Sequence, residues 1–192
     1  MNLQGFIKQI NSKGVTLIEI IIVVSIISII SSIIIADFPK IKLQLSLSRT
    51  AHKLAQDIRV AQNLSSSGNE VFFNSQNVVP KGYGIYIDIN SSNGDKKYLI
   101  YADMNGDNHY YQDQDYIYKE INIEDNESGI IIKQILNGTE NVSINFAPPN
   151  FDVTITNLYY SQEPLEIVLA VESFPDITRT ITVNRSGFVE SN

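Results

Sequence analysis

The chain has 192 residues, of which 43% are hydrophobic, enough for one core-forming domain with an appendage and too few for two enzymatic domains. It contains no Cys, which removes disulfides, thiolate nucleophiles and zinc–thiolate sites together, and its two His, His52 and His109, are too few for a His-rich metal centre. The net charge of −7 is unevenly spread: residues 1–14 carry Lys8 and Lys13 without an acid, residues 37–64 carry five bases against Asp37 and Asp57, and residues 65–192 hold 7 basic and 18 acidic residues, hence −11. An acidic head on a mildly basic stem is poorly suited to a phosphate backbone, so no nucleic acid is expected as a partner of the isolated head.

From the N-terminus, the first feature is the run from Ile20 to Ala36, 17 residues without a charge, twelve of them Ile or Val. A run of this length sits at the short end of what spans a bilayer, and those twelve side chains favour insertion by roughly 4–7 kcal/mol before the four Ser are discounted. A buried core helix would show a polar face, and this run has only Ser. A secretory signal would show small residues at a cleavage site after the run, and Ile33-Ile34-Ile35-Ala36-Asp37-Phe38 does not. Within it Ser25, Ser28 and Ser32 share one helix face, where small side chains permit close helix–helix approach or simply bond back to their own helix carbonyls; the spacing serves both readings.

Glu19 does not belong to a plain anchor. A carboxylate inside an apolar helix costs several kcal/mol and reads as functional. It closes the stretch Lys13-Gly14-Val15-Thr16-Leu17-Ile18-Glu19, which resembles the type IV prepilin signal: a short basic leader ending in Gly, an apolar residue, Thr-Leu-Ile-Glu, then about twenty apolar residues. The resemblance implies that a prepilin peptidase cuts between Gly14 and Val15 and methylates the new amino terminus on Val15, where the family most often has Phe. It also implies an assembly role for Glu19, pairing with the terminal ammonium of a neighbouring subunit. Two charges costly to bury alone become tolerable together and set axial register, as a buried polar residue does in a coiled coil.

Pro39 should interrupt the helix past the membrane edge. Ile41, Leu43, Leu45 and Leu47 alternate as in a strand, whereas Leu47, Ala51, Leu54, Ile58 and Ala61 follow a helical stripe. We therefore expect one long interrupted helix over 15–64, with His52 solvated and Ser65-Ser66-Ser67-Gly68 ending it. Beyond Gly68 the period becomes two. Strands are expected at Val71–Phe73, Tyr83–Ile89, Tyr98–Ala102, Tyr116–Ile123, Ile130–Leu136, Val142–Phe146, Val153–Leu158, Leu165–Glu172 and Ile177–Asn184, with turns such as Asn93-Gly94-Asp95 and Pro148-Pro149-Asn150 between them. The fold class is thus α+β: a long N-terminal helix followed by an antiparallel β-rich head. The expected division is a leader at 1–14, a transmembrane and assembly helix at 15–36, an amphipathic stem at 37–64 and the head at 65–192.

Four further stretches are similar to the GspH/FimT family of minor pilins and pseudopilins. They are Leu54–Asn63 in the helix, Gly82-Tyr83-Gly84-Ile85-Tyr86, Leu99–Asp107 with its acidic turn, and Ile181–Val189 near the end. That resemblance implies a non-enzymatic subunit of a type IV pilus or type II secretion pseudopilus. Its implied partners are other pilins, the peptidase and an inner-membrane assembly platform. The implied location is the cytoplasmic membrane as a single pass with the N-terminus in the cytoplasm, then the pilus or cell surface. The alternatives are a DNA-uptake minor pilin and an anchored surface domain that never polymerises. For DNA the family would use a basic cluster near the final strand, where this chain has only Arg185, followed by Phe188 and Glu190.

The turn Asp103-Met104-Asn105-Gly106-Asp107-Asn108-His109 places oxygen ligands at positions 1, 3 and 5 of a calcium loop. Position 12 is Gln114, flanked by Asp113 and Asp115, so a calcium site using Asp103, Asn105, Asp107, Asp113 and Asp115 competes with a solvated acidic hairpin turn. No other cofactor is expected. Tyr occurs ten times, and pairs such as Tyr110-Tyr111 serve either strand packing or a binding platform. The chain shows no nucleophile elbow, Walker loop or HExxH motif.

Overall fold

The structure is a computed structural model and describes residues 14–148, 152–160 and 163–192. Most of the expected leader, with Lys8 and Lys13, lies outside the described residues, as do Pro149 and Asn150 of one expected turn. The chain divides into two compact units, Met1–Ile41 and Lys42–Asn192.

Helix α1 runs over Leu17–Ser67 with Pro39 inside it. The expected interruption does not divide the element, although proline removes one internal hydrogen bond at a cost of about 3 kcal/mol. The alternating segment 41–47 is helical too, contrary to its local pattern: Ile41 and Leu45 stay exposed while Leu47 is buried. The helix ends three residues later than expected, through Gly68 at φ +62°. There the Gly68 N–H bonds to the Ser65 carbonyl at 3.4 Å and the Asn69 N–H to the Leu64 carbonyl at 3.5 Å, a Schellman closure that needs a left-handed residue.

In the second unit, three antiparallel sheets follow. A hairpin pairs β1 (Val71–Phe73) with β2 (Gln76–Val78). A five-stranded sheet has the order β5 (Tyr116–Asn122), β4 (Lys97–Asp103), β3 (Gly82–Asp88), β7 (Asn141–Ala147), β8 (Asp152–Ile155). A four-stranded sheet has the order β11 (Val189–Ser191), β10 (Phe174–Val183), β9 (Leu165–Val171), β6 (Ile130–Leu136). The layout is α+β and pilin-like. All nine expected strands are present: Val71–Phe73 and Ile130–Leu136 with the expected ends, the others with ends shifted by up to a few residues. β8 stops at Ile155, and Leu158 instead forms an isolated bridge with Gly138.

The helical stripe is the keel of the core. Leu47, Ala51, Leu54, Ile58 and Ala61 are buried and share one cluster with Ile85, Ile100 and Ile144 of the larger sheet and Ile132, Leu169 and Ile181 of the smaller. Each of Leu47, Leu54 and Ile58 contributes roughly 1.5–3 kcal/mol by leaving water. Alternation along β3 and β4 sends Tyr83, Ile85, Tyr98 and Ile100 into this core and leaves Gly84, Tyr86, Leu99 and Tyr101 on the opposite, outer face.

Candidate functional site

The segment that carries the sequence motif starts α1. Gly14 and Val15 are exposed and precede the first helical turn. Thr16 is the N-cap: the Glu19 N–H donates to its hydroxyl at 3.3 Å, and the Thr16 N–H donates back to the Glu19 carboxylate at 3.5 Å. This reciprocal pair is a capping box, in which Glu19 also faces the positive end of the helix dipole. The sequence signal for it, Thr-x-x-Glu, was present but hidden inside the prepilin pattern.

From Leu17 to Ile35 the large apolar side chains are exposed by half or more of their surface. Among the described residues nothing buries the most apolar stretch of this helix. It is long and apolar enough to cross a membrane. The hydroxyls of Ser25, Ser28 and Ser32 donate to the carbonyls of Ile21, Val24 and Ser28, each at 2.8 Å. Back-bonding leaves this face small and free of unsatisfied polar atoms, which is the form in which a serine is cheapest in lipid.

The acidic turn after β4 closes on itself. Asp103 is 1% exposed. One of its oxygens accepts the Gly106 N–H at 2.6 Å, and the other accepts the Asn108 N–H and the Asn145 amide, both at 3.0 Å. Asp115 accepts the Met104 N–H at 3.0 Å and the Tyr111 N–H at 2.9 Å. Burial pushes the Asp115 carboxyl above its ordinary range, the two amides partly offset this, and the charges of Asp103 and Asp107 push the same way as burial. Asp107 accepts from the His109 N–H and the Asn105 amide, and the Asn105 carbonyl accepts from the Asp107 N–H. Asp113 is exposed and takes no part among the described hydrogen bonds.

In the fold most of these oxygens are engaged by donors of the turn itself. A calcium ion here would have to share these oxygens with the N–H donors they already accept from. Among the described residues no group of three or more Asp, Glu or His side chains is placed to hold a metal. Four of the five residues read as ligands hold the loop: Asp103, Asn105, Asp107 and Asp115 accept backbone N–H bonds, and Asp113 takes no part. Asn145 is oriented by the same network, since its Nδ2 also donates to the Tyr101 hydroxyl at 3.1 Å. Its carbonyl oxygen is buried without a partner. Turning the amide over would aim that oxygen at Asp103, which costs more.

Sequence reading also missed a buried pair on the stem. Asp57 lies on the buried side of α1, accepts from the Tyr98 hydroxyl and sits 3.0 Å from the Lys53 ammonium. Burial first, then Asp57, holds the Tyr98 hydroxyl far above the usual phenol range. The pair anchors the helix to β4.

A family model described as the prokaryotic N-terminal methylation motif matches residues 10–35. Neither the comparison with curated proteins nor that with solved structures returned a match. The matched residues hold Gly14, Val15, Glu19 and the uncovered apolar helix, so the protein is type IV prepilin-like, with a pilin-like α+β layout. Chains of this kind are substrates of a prepilin peptidase and structural subunits that assemble with other pilins. The match ends at Ile35 and leaves the head unassigned.

Proposed function

We propose that the precursor is cut between Gly14 and Val15, methylated on Val15, and built into a type IV pilus or secretion pseudopilus as a minor subunit with a GspH/FimT-like head. In this reading it waits in the cytoplasmic membrane with its N-terminus inside, and an assembly platform draws it into the fibre. The observation that carries the proposal is the apolar half of α1, which lies within the methylation-motif match and is left exposed among the described residues. A filament bundle covers it. Glu19 leaves its own Thr16 and pairs with the Val15 ammonium of a neighbour, while the small face of Ser25, Ser28 and Ser32 lets adjacent helices approach. Asp103, Asn105, Asp107 and Asp115 hold the head loop.

Mass spectrometry of the mature protein should find methylated Val15 as its first residue. Glu19→Ala should abolish assembly while membrane insertion is kept or improved, because a costly carboxylate has been removed from an apolar helix. An intact precursor in cells that possess the peptidase, or normal filaments from the variant, would refute the proposal and leave a non-polymerising anchor.

A further inference from the structure

The loop 104–115 covers only part of the outer face of the five-stranded sheet. Beside it lies an open groove of about 550 Å³, within the ~300–1,000 Å³ range of small-ligand clefts. Its walls are aromatic. Tyr86 of β3 stands edge-on to His109, with centroids 5.8 Å apart at 90°. His109 stands at 68° to Tyr111 with centroids 4.9 Å apart, and Tyr110 leans on Tyr86 at 4.9 Å. The loop is positioned from below: the Tyr110 N–H donates to the Ser143 hydroxyl, and His109 Nδ1 lies 3.0 Å from the Thr156 hydroxyl. Tyr110 is nearly buried and so accounted for by packing, but Tyr111 is 47% exposed. Strand packing does not explain a large ring held half in water by a loop that two buried carboxylates lock.

Charge decides which ligand such a groove suits. Among the described residues Lys97 is the only Lys or Arg lining it, and it lies 3.8 Å from Glu120. One oxygen of Asp88 accepts the Asn90 N–H at 3.1 Å and the other faces the Tyr86 hydroxyl at 3.4 Å. A phosphate or other anion therefore meets no unpaired Lys or Arg among the described residues, while the carboxylates of Asp88 and Glu120 keep lone pairs free to accept from hydroxyls. What remains is ring surface beside a rim of carboxylate and amide oxygens, with the amides of Gln112 and Asn141 as donors. That combination matches a ligand with apolar C–H faces and a perimeter of neutral hydroxyls.

We propose that this groove binds a neutral saccharide, a pyranose face stacking on Tyr111 beside Tyr86 and its hydroxyls bonding to Asp88, Glu120, Gln112 and Asn141. The proposal does not depend on how the N-terminal segment is processed.

The test uses the full chain in a sugar-free detergent, titrated calorimetrically and by saturation-transfer NMR with chitotriose, cellotriose, maltotriose and mannotriose. At least one should bind with a dissociation constant of ~0.1–1 mM. Tyr111→Ala should weaken it about tenfold and Tyr111→Phe about twofold or less, since the ring and not the hydroxyl provides the stacking. Gln112→Ala, on the exposed rim, gives a second variant and should weaken binding about threefold. Absence of binding by all four sugars, or affinity unchanged in both alanine variants, would overturn the proposal. So would binding confined to a sulfated oligosaccharide or a lysine-rich peptide.

Discussion

Replacing Asp103 by Ala removes the acceptor that holds the loop 104–115. Three donors lose their partner: the Gly106 and Asn108 N–H groups and one hydrogen of the Asn145 amide. A buried donor left unsatisfied costs about 1–3 kcal/mol, and the low end applies here because the loop tip at Asn105 to Asp107 is exposed and can admit water. The expected loss is about 3–4 kcal/mol, or a fall in Tm of about 10 °C for a unit of this size. Asp103→Asn keeps one acceptor and should lose about half as much. All ten Tyr lie between residues 83 and 160 and there is no Trp, so near-ultraviolet circular dichroism reports on the head alone. The same melts with calcium and with a chelator test the ligand question directly. A Tm unchanged in Asp103→Ala, or a wild-type Tm that calcium raises by several degrees, would refute the amide-lock reading.

Three other outcomes are expected. Gly84→Ala should cost about 1–3 kcal/mol in the same melt, because its Cβ would lie 2.6 Å from both the Ile144 carbonyl oxygen and the buried Tyr101 ring; wild-type stability would show that the strands part easily there. Burial first pushes the phenols of Tyr83 and Tyr86 up to about 12, aided by Tyr118 at the former and Asp88 at the latter. Since the folded-state values are raised, the stability they contribute is full below the ordinary phenol value of about 10 and lost as pH rises through about 12; tyrosinate absorbance should show a late-titrating group, and ionisation of all ten Tyr near the ordinary value would contradict this. The unit Lys42–Asn192, with 11 basic and 19 acidic residues and hence −8, should show no salt-sensitive binding to duplex DNA by fluorescence anisotropy, and micromolar binding that weakens with salt would bring the DNA-uptake role forward.

The sequence by itself determined what depends on local pattern. The methylation motif, the charge-free run, the helical stripe from Leu47 to Ala61 and nine strands were all legible, because each rests on spacing between near neighbours. Gly68 as the helix stop was legible for the same reason. Over 41–47 the alternation read alone suggests a strand, but the stripe that follows already favoured one long helix, and the fold agrees because helix sets Leu47 on the stripe with Ala51 and Leu54 against the sheets. The strands β2 and β11, three residues each, carry no period of their own and exist through their partners in register, Val71 to Phe73 and Ile181 to Val183. The acidic turn shows the limit most plainly. Its spacing suits a cation, and in the fold Asn145, 42 residues away, and the turn's own amides also bond the carboxylate oxygens. No linear pattern tells a carboxylate aimed at a metal from one aimed at an N–H, because that choice is made by backbone direction in three dimensions.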